Sequence, residues 1–349
     1  MKETSFEPKD NNYLIGFNEA EKIFLDAWKN NSLHQSWLLS GEKGIGKTTF
    51  AYKIARFLLN VDENKRDVYT SLDVSPDCET FRQIASGSHP DFKIIERGFI
   101  KAERQKIEKA IKSGNYMTDE ELKSLKKSSV ISIEDVRTVN DFLAKKSAEG
   151  RWRVVIIDSA DDMNHNSANA ILKILEEPPH KSILLLISHN PTNLLPTIKS
   201  RCAKLAIKPL KETDVASLLR RYRPELSEDM IKKTAAISEG SIGKAINYID
   251  GNAVEYYEQI YALATSGRNF KVADVLEFSD VVVEDESSYE LFKELILKFL
   301  NEQIKSFNKV EETAKLFDET IKIFNETEKL NLDKKQAVLS IMNNICNVY

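Results

Sequence analysis

Residues 41–48 read Gly-Glu-Lys-Gly-Ile-Gly-Lys-Thr and satisfy the pattern G-x-x-x-x-G-K-[ST] in full. Glycines let successive backbone N–H groups turn towards one anion, and a helix that follows aims its positive end at the same place. The segment therefore predicts a phosphate site for ATP or ADP, and an ordinary glycine-rich turn is the less favoured alternative. The residues expected to contact the nucleotide here are Gly41, Gly44, Ile45, Gly46, Lys47, Thr48 and Thr49.

Two of these side chains have a definite expected chemistry, and a third residue completes it. Lys47 would reach the β- and γ-phosphates, and the Thr48 hydroxyl would ligate Mg²⁺. A second Mg²⁺ ligand is needed at the end of a buried strand, and Asp158 directly follows such a run, Arg153 to Ile157. The alternative for Asp158 alone is a carboxylate that caps a turn. Together with the glycine-rich loop, the metal site is the favoured interpretation.

The residue after Asp158 is Ser159, whereas enzymes of this type that hydrolyse ATP commonly have a glutamate there to activate water. A serine hydroxyl has no basicity at neutral pH and cannot take the proton of the attacking water. Asp161 and Asp162 follow closely, but the turn after the strand is expected to aim them elsewhere. The sequence therefore predicts nucleotide binding with slow or absent hydrolysis.

The elements that must hold these residues alternate between strand and helix over the first two hundred residues. Trp37 to Ser40 and Ile183 to Ile187 are strand-length apolar runs, and residues 48–59 have apolar side chains at helical spacing. Strand, glycine-rich loop and helix follow one another, which predicts an α/β domain with a parallel sheet. A second helix is expected from Ser167 to Glu176, ended by two prolines. Residues 98–129 are rich in Lys and Glu, which indicates a solvated helical insertion.

The chain after Pro209 is expected to be helical, apart from the short strand-like run Val281 to Val283. Ser287 with Glu290 three residues later suggests a capping box that opens a long amphipathic helix. We predict a nucleotide-binding domain at 1–208, a helical lid at 209–252 and a C-terminal helical domain at 253–349.

Composition restricts the class of protein. The 349 residues are 42% hydrophobic and 30% charged, with a formal net charge of −4, which argues against a protein that coats nucleic acid with a broad basic face. The apolar runs are too short for a membrane span, and the polar first residues predict no leader peptide. Three scattered cysteines indicate no disulfide framework, so we expect a cytoplasmic protein without a membrane partner.

Three further segments carry a resemblance to a known family. They are residues 131–137 (ISIEDVR), 168–179 (ANAILKILEEPP) and 195–202 (LPTIKSRC), in that order along the chain. Together with the glycine-rich loop and Asp158, they resemble the clamp-loader branch of the AAA+ proteins over about residues 11–250. The resemblance implies an AAA+ P-loop domain, a small helical lid and an all-α collar domain.

The resemblance also implies roles for individual residues. Arg201 would be an arginine finger that acts on the γ-phosphate bound by a neighbouring subunit, and the alternative for a lone arginine is a surface salt bridge. Leu14 and Ile15 match the segment that packs on adenine. Ser188 or His189 matches the position that senses the γ-phosphate, although neither is the usual Thr or Asn and His189 is equally expected to be a plain loop residue. The implied partners are the other clamp-loader subunits, the sliding clamp and, through the assembled complex, primed DNA.

Three departures from the family's motor subunits define the expected role. Ser159 replaces the water-activating glutamate, and Gly243 stands where motors carry a second phosphate-sensing arginine. Of the four-cysteine zinc module that many members have, only Cys78 remains, with Phe81 at another cysteine position, so no zinc is expected. The chain thus resembles a non-hydrolysing subunit. An ATP-hydrolysing motor or a related DNA helicase is the alternative.

Overall fold

The structure, a computed structural model, describes residues 6–115, 117–145, 147, 151–266, 271–306 and 309–348. Its contacts divide the chain into two units. The first comprises Met1–Tyr222 and Gly240–Gly243, and the second comprises Arg223–Glu239 and Lys244–Tyr349. The three-part division with boundaries at residues 209 and 253 stays a prediction.

A five-stranded parallel sheet forms the centre of the first unit. Its strands are β1 (Ser36–Ser40), β2 (Phe92–Ile95), β3 (Arg153–Ile157), β4 (Ser182–Ser188) and β5 (Ala203–Ala206), in the order β2-β3-β4-β1-β5. Every residue of β3 and β4 is buried, as the continuous apolar runs predicted for strands covered on both faces. The predicted parallel α/β class is confirmed.

Nine α-helices accompany this sheet within the described part of the first unit, and some of them cover its two faces. They are α1 (Asn18–Lys29), α2 (Lys47–Asn60), α3 (Glu79–Ala85), α4 (Lys101–Lys112), α5 (Asp119–Ser124), α6 (Ile133–Ala144), α7 (His165–Glu176), α8 (Pro196–Lys199) and α9 (Glu212–Tyr222). The pair α6 and α7 packs on the face that contains Val155 and Ile157, and α2 packs against β1, β3 and β4. Both predicted helices, α2 and α7, are confirmed, and α7 ends before the two prolines.

The segment 98–129 leaves the sheet after β2 and returns before α6. A short antiparallel bridge between Phe99 and Lys127 closes its base, and α4 has no buried residue. Arg104 of α4 lies 3.2 Å from a carboxylate oxygen of Asp135 in the first turn of α6, which ties the insertion to the sheet domain. The prediction of a solvated helical insertion is confirmed.

The chain from residue 228 onward forms helices. They are α10 (Glu228–Ile237), α11 (Ile242–Asp250), α12 (Ala253–Thr265), α13 (Val272–Val282), α14 (Glu286–Lys305), α15 (Val310–Leu330) and α16 (Lys334–Val348). Fully buried side chains such as Phe292, Phe299 and Ile341 join them into one hydrophobic core. The predicted all-α C-terminal region is confirmed.

Two details of that region differ from the prediction. The strand-like run at Val281 is the end of α13, because Val275, Phe278 and Val282 bury one face at helical spacing and this packing overrides local β propensity. The long helix α14 is capped by Asp285 and not by Ser287. The Asp285 carboxylate accepts the Ser288 N–H at 2.8 Å, so the helix begins at Glu286.

Candidate nucleotide site

The glycine-rich loop connects the carboxyl end of β1 to the first turn of α2. Gly46 immediately precedes α2 and has φ of +103°, and Gly41 has φ of +153°, values that side chains with a Cβ rarely adopt. A Cβ at Gly41 would also lie 2.4 Å from the Ile207 carbonyl oxygen. The loop therefore needs glycine at both positions, as the motif predicted.

Lys47 is a buried cation whose partners are only carbonyl oxygens. Its Nζ donates to the Gly41 carbonyl at 2.7 Å and to the Glu42 carbonyl, and no carboxylate within the described residues pairs with it. Burial lowers the pKa of Lys47 to about 8, although the charges of Asp158 and Asp161 oppose the shift. A buried ammonium whose hydrogen-bond partners are carbonyl oxygens is suited to receive an anionic ligand.

Thr48 and Asp158 come together as predicted, although 110 residues separate them in the sequence. The Thr48 hydroxyl donates to the Asp158 carboxylate at 2.8 Å, at the shared carboxyl edge of the sheet. Burial raises the pKa of Asp158, and the hydrogen bond from Thr48 opposes that shift. A hydroxyl and a carboxylate are oxygen ligands of the kind that Mg²⁺ prefers, so these two residues fit the ion.

The carboxylates that follow Asp158 are already engaged. Ser159 is buried and donates its hydroxyl to Asp162 at 3.0 Å. Asp161 accepts the Ser188 hydroxyl at 2.8 Å, and it also accepts the backbone N–H groups of residues 189 and 190. Asp161 thus faces the end of β4, and the position directly after Asp158 offers only a hydroxyl.

His189 lies next to the glycine-rich loop, at the end of β4. Burial lowers the pKa of the His189 imidazole, and the nearby Lys47 charge lowers it further, both of which favour the neutral ring. Its Nδ1 is buried, and no hydrogen-bond partner for it exists in the part of the chain that the structure describes. An orphaned ring nitrogen beside Lys47 is compatible with a polar ligand at this position.

The segment predicted to contact adenine lies over the loop. Leu14 is 3.4 Å from the point that a Cβ on Gly46 would occupy, and Phe17 is equally close. Ile15 is partly buried in the same segment. Phe17, which the sequence did not single out, stacks on Phe50 of α2 with 5.2 Å between ring centroids. The contact of Leu14 and Ile15 with a base stays a prediction.

The sequence analysis did not predict one acidic residue at the carboxyl edge of the sheet. The register of β2 and β3 pairs Ile95 with Ile157, which brings Glu96 beside Asp158. The Glu96 charge contributes to the raised pKa of Asp158. The sequence signal is weak, because the four-residue strand before Glu96 is interrupted by Lys93, whereas an unbroken apolar run precedes Asp158.

Arg201 lies two residues after the end of α8, the short helix that follows β4 in the chain. Its guanidinium donates to the Thr197 carbonyl at 3.0 Å and forms an ion pair with Glu176 at 2.6 Å. The Arg201 side chain remains one-third exposed. The adjacent Cys202 is buried, and burial raises the pKa of its thiol to about 12, which is typical of a small packed side chain and not of a reactive thiol.

An arginine packs on an aromatic ring in the region around Cys78, where no zinc is expected. The Arg56 guanidinium lies 3.9 Å from the centroid of the Phe81 ring, and Cys78 donates to the side-chain oxygen of Asn60 at 3.1 Å. Across the described ranges, no three His, Cys, Asp or Glu side chains are grouped as metal ligands would be. The absence of zinc from the protein stays a prediction.

The glycine-rich loop, the Thr48–Asp158 contact and the parallel sheet define an α/β protein with a P-loop at the carboxyl edge of its sheet. The family described as "DNA polymerase III, delta subunit" matches residues 16–211, more than half of the chain. The chain belongs to this family.

Individual relatives agree with that membership. The delta' subunit of DNA polymerase III from Pseudomonas aeruginosa is 33% identical over 208 residues, which are 59% of this chain and 53% of the relative. The delta' subunit from Bacillus subtilis is 26% identical over 62% of this chain and 56% of the relative. The tau/gamma subunit from Haemophilus influenzae is 28% identical over 70% of this chain and 31% of its own length. The chain thus spans about half or less of the curated relatives it matches.

Solved structures give weaker likenesses. A DNA polymerase III gamma subunit-related protein from Thermotoga maritima aligns with a TM-score of 0.40 and 19% identity, over 93% of this chain and 99% of the other. The RuvB Holliday junction branch migration motor from the same organism aligns with a TM-score of 0.42 and 15% identity, over 86% and 81%. Overlaps this low carry no functional argument.

Within the described segments, no helix is long and apolar enough to cross a bilayer.

Proposed function

We propose that this chain is a clamp-loader subunit of a replicative DNA polymerase which binds ATP or ADP and hydrolyses it slowly or not at all. Membership of the DNA polymerase III delta subunit family supports the assignment to that complex. The observation that carries the nucleotide chemistry is the contact of Thr48 with Asp158, followed directly by the buried hydroxyl of Ser159.

In this proposal, the loop residues bind the phosphates and orient them. Lys47 exchanges its two carbonyl partners for phosphate oxygens, which compensates a charge that burial now disfavours. Thr48 and Asp158 hold Mg²⁺, which would neutralise phosphate charge when bound. Leu14 and Ile15 pack on the base, and His189 lies at the end of the phosphate chain.

Slow turnover is expected because Ser159, the residue that directly follows Asp158, offers no base to activate water. Ser159 has a hydroxyl with no basicity at neutral pH, and that hydroxyl is occupied by Asp162. Asp161 accepts three hydrogen bonds at the end of β4, so its carboxylate is already engaged there. The site is therefore suited to hold a nucleotide for a long time.

The second part of the proposal concerns Arg201, which would act on the ATP site of a neighbouring subunit. The residue is partly exposed, permanently charged and attached to a short helix that begins at Pro196. A planar guanidinium of this kind stabilises the charge that develops on a transferred phosphoryl group. The implied partners are the other clamp-loader subunits, the sliding clamp and primed DNA, in the cytoplasm.

The test is steady-state ATP hydrolysis by the purified chain, alone and with primed DNA. We expect ATP binding without appreciable turnover, and loss of that binding in Lys47→Ala. Robust turnover that is stimulated by DNA and abolished in Lys47→Ala would support the alternative, an ATP-hydrolysing motor. The position of Glu96 beside Asp158 is the one feature that favours this alternative.

The assignment to a complex has its own test. A tagged copy expressed from its native locus should copurify with replicative polymerase subunits, and the Arg201→Ala variant should copurify equally well, because the finger acts after assembly. Recovery of the chain without any polymerase subunit would contradict the assignment.

A further inference from the structure

The turn at Ser241–Gly243 touches the outer side of the glycine-rich loop, and both segments belong to the first unit. The Gly243 N–H donates to the Gly44 carbonyl at 2.9 Å. The Ser241 hydroxyl donates to the Lys43 carbonyl, also at 2.9 Å. Ser241 is fully buried, so this contact is made without competition from water.

The Lys43 carbonyl shares a peptide unit with the Gly44 N–H, and the Gly44 carbonyl shares one with the Ile45 N–H. A trans peptide unit is planar, with its C=O and N–H pointing in opposite directions. Fixing the Lys43 carbonyl therefore fixes the Gly44 N–H, and fixing the Gly44 carbonyl fixes the Ile45 N–H. Both N–H groups then point away from the turn, towards the interior of the loop.

Those two N–H groups lack acceptors. Over the residues that the structure describes, neither the Gly44 N–H nor the Ile45 N–H has a hydrogen-bond acceptor, although Ile45 is 1% exposed. Buried backbone donors are nearly always paired, so an unpaired one indicates a ligand position. In a loop of this pattern, such donors cradle the α- and β-phosphates.

Position 243 can make this contact only as glycine. A Cβ on Gly243 would lie 2.9 Å from the Gly44 Cα and 3.2 Å from the Gly44 carbonyl oxygen. Both atoms are backbone, so they cannot move aside without moving the loop. The preceding Gly240 has φ of +79°, and a Cβ there would lie 2.3 Å from the Leu210 carbonyl oxygen, so the approach of the turn is fixed as well.

We infer that Ser241 and Gly243 are positioning residues that orient the Gly44 and Ile45 amides for the phosphates of a nucleoside di- or triphosphate. This inference rests on the proposed nucleotide binding and deepens it. In this interpretation, glycine at position 243 has a structural role of its own and does not merely mark the absence of an arginine. An arginine at this position would displace the very loop that it is expected to assist.

The experiment compares Ser241→Ala, Gly243→Ala and Gly243→Arg with the wild-type full chain by calorimetric titration with MgADP and MgATP. We expect Ser241→Ala to weaken both affinities about fivefold, and both Gly243 variants to weaken them about tenfold or more. ADP and ATP should be affected alike, because the two amides face phosphates that both nucleotides have. Tighter MgATP binding by Gly243→Arg, or wild-type affinity in Gly243→Ala, would overturn the inference.

Asn247→Ala is the matched control, because Asn247 is exposed on the same helix α11 and the change raises helix propensity as Gly243→Ala does. It should bind both nucleotides like the wild type. Thermal midpoints without nucleotide should agree within a few degrees for Ser241→Ala and Asn247→Ala, which separates loop positioning from a general loss of stability.

A second readout keeps this inference apart from the proposed function. Hydrogen exchange of residues 41–48 in the nucleotide-free chain should be faster in Ser241→Ala than in the wild type and in Asn247→Ala. If the wild type binds neither nucleotide, the proposed function fails, and the exchange experiment still tests the turn. Unchanged exchange in Ser241→Ala would show that the turn does not hold the loop.

Discussion

Arg201 forms an ion pair with Glu176, with 2.6 Å between the guanidinium nitrogen and the carboxylate oxygen. Glu176 is the last residue of α7, and half of its side chain is exposed. Exposed ion pairs contribute about 1 kcal/mol or less, so the guanidinium can leave this carboxylate for a phosphate at little cost. In the proposed role as a finger, Arg201 would exchange Glu176 for a phosphate of the neighbouring subunit.

Replacement of Arg201 should therefore affect a neighbour and not this chain. Arg201→Ala is expected to leave the nucleotide affinity of the isolated chain unchanged and to slow ATP hydrolysis by the reconstituted complex at least about tenfold, since a finger contributes about 10³-fold or more at its own site. Arg201→Lys should not restore the rate, because an ammonium lacks the planar fork. Single-turnover hydrolysis by the complex measures both.

Glu176→Gln is the matched control for that experiment. It removes the ion-pair partner and leaves Arg201 in place, so hydrolysis by the complex should equal or exceed the wild-type rate. Unchanged hydrolysis in Arg201→Ala would remove the assignment of the finger, whatever the behaviour of Glu176→Gln.

The depressed pKa of Lys47 predicts the pH dependence of nucleotide binding. Below about pH 8 the ammonium is charged in the free chain and can bind phosphate directly. As the pH rises through about 8, the free chain loses this proton, and binding must first recover it. The affinity for MgADP should then fall by up to about tenfold per pH unit. Calorimetry between pH 6.5 and 9.5, in roughly half-unit steps, measures the slope.

Two variants test the origin of this slope. Lys47→Arg keeps its charge throughout the range, so its affinity, although lower, should be flat with pH. Lys47→Met removes a buried cation that destabilises the nucleotide-free fold at pH 7, and its thermal midpoint should rise there and rise less at pH 9. A wild-type affinity that is constant from pH 7 to 9.5 would contradict the assigned pKa.

Local patterns were enough to predict the parts of the site that are continuous in sequence. The glycine-rich loop, the buried strand before Asp158 and the helix after the loop are short segments whose residue types decide their conformation. Thr48 and Asp158 were paired correctly because a known chemical requirement linked them. The parallel α/β class followed from the same runs of apolar residues.

Contacts set by strand register and by loop packing could not be predicted in this way. Glu96 reaches Asp158 only because β2 pairs with β3 in one particular register. Glu176 was expected only to end a helix, and its contact with Arg201 depends on how α7 and the loop after α8 pack. In such contacts, the local sequence around each residue does not indicate which distant residue it will meet in the fold.

The contact of Arg56 with Phe81 should stabilise the first unit without metal. Arg56 is 2% exposed, donates to the Asn11 carbonyl at 2.8 Å and stacks on the Phe81 ring. Phe81→Ala should lower the free energy of unfolding by about 3 kcal/mol, and Phe81→Leu, which keeps most of the volume, by about 1 kcal/mol. Urea denaturation followed by circular dichroism measures both.

The same denaturation experiment tests the expected absence of zinc. Midpoints of the wild-type chain should be identical with and without a strong zinc chelator, because Cys78 alone cannot hold the ion. A chelator-dependent midpoint, or about one equivalent of zinc in the purified chain by elemental analysis, would contradict this expectation.

Any residual hydrolysis by the isolated chain identifies which acid, if any, acts on water. Asp161 accepts three hydrogen bonds and faces the end of β4, so Asp161→Ala should leave the residual rate unchanged when nucleotide is saturating. Glu96 is half-exposed, pairs with Lys127 at 3.5 Å and lies beside Asp158, so it is an acid at this edge with room to act. Glu96→Gln should lower a genuine residual rate by about tenfold or more.

The effects of these variants on the residual hydrolysis rate distinguish the proposed function from its alternative. A rate that survives Glu96→Gln, Asp161→Ala and Lys47→Ala alike comes from a contaminating enzyme, and the chain then binds nucleotide without turnover. A rate that Lys47→Ala and Glu96→Gln both abolish belongs to this site. If that rate also rises with primed DNA, Glu96 serves as the base that Ser159 cannot be, and the chain is a motor in its own right.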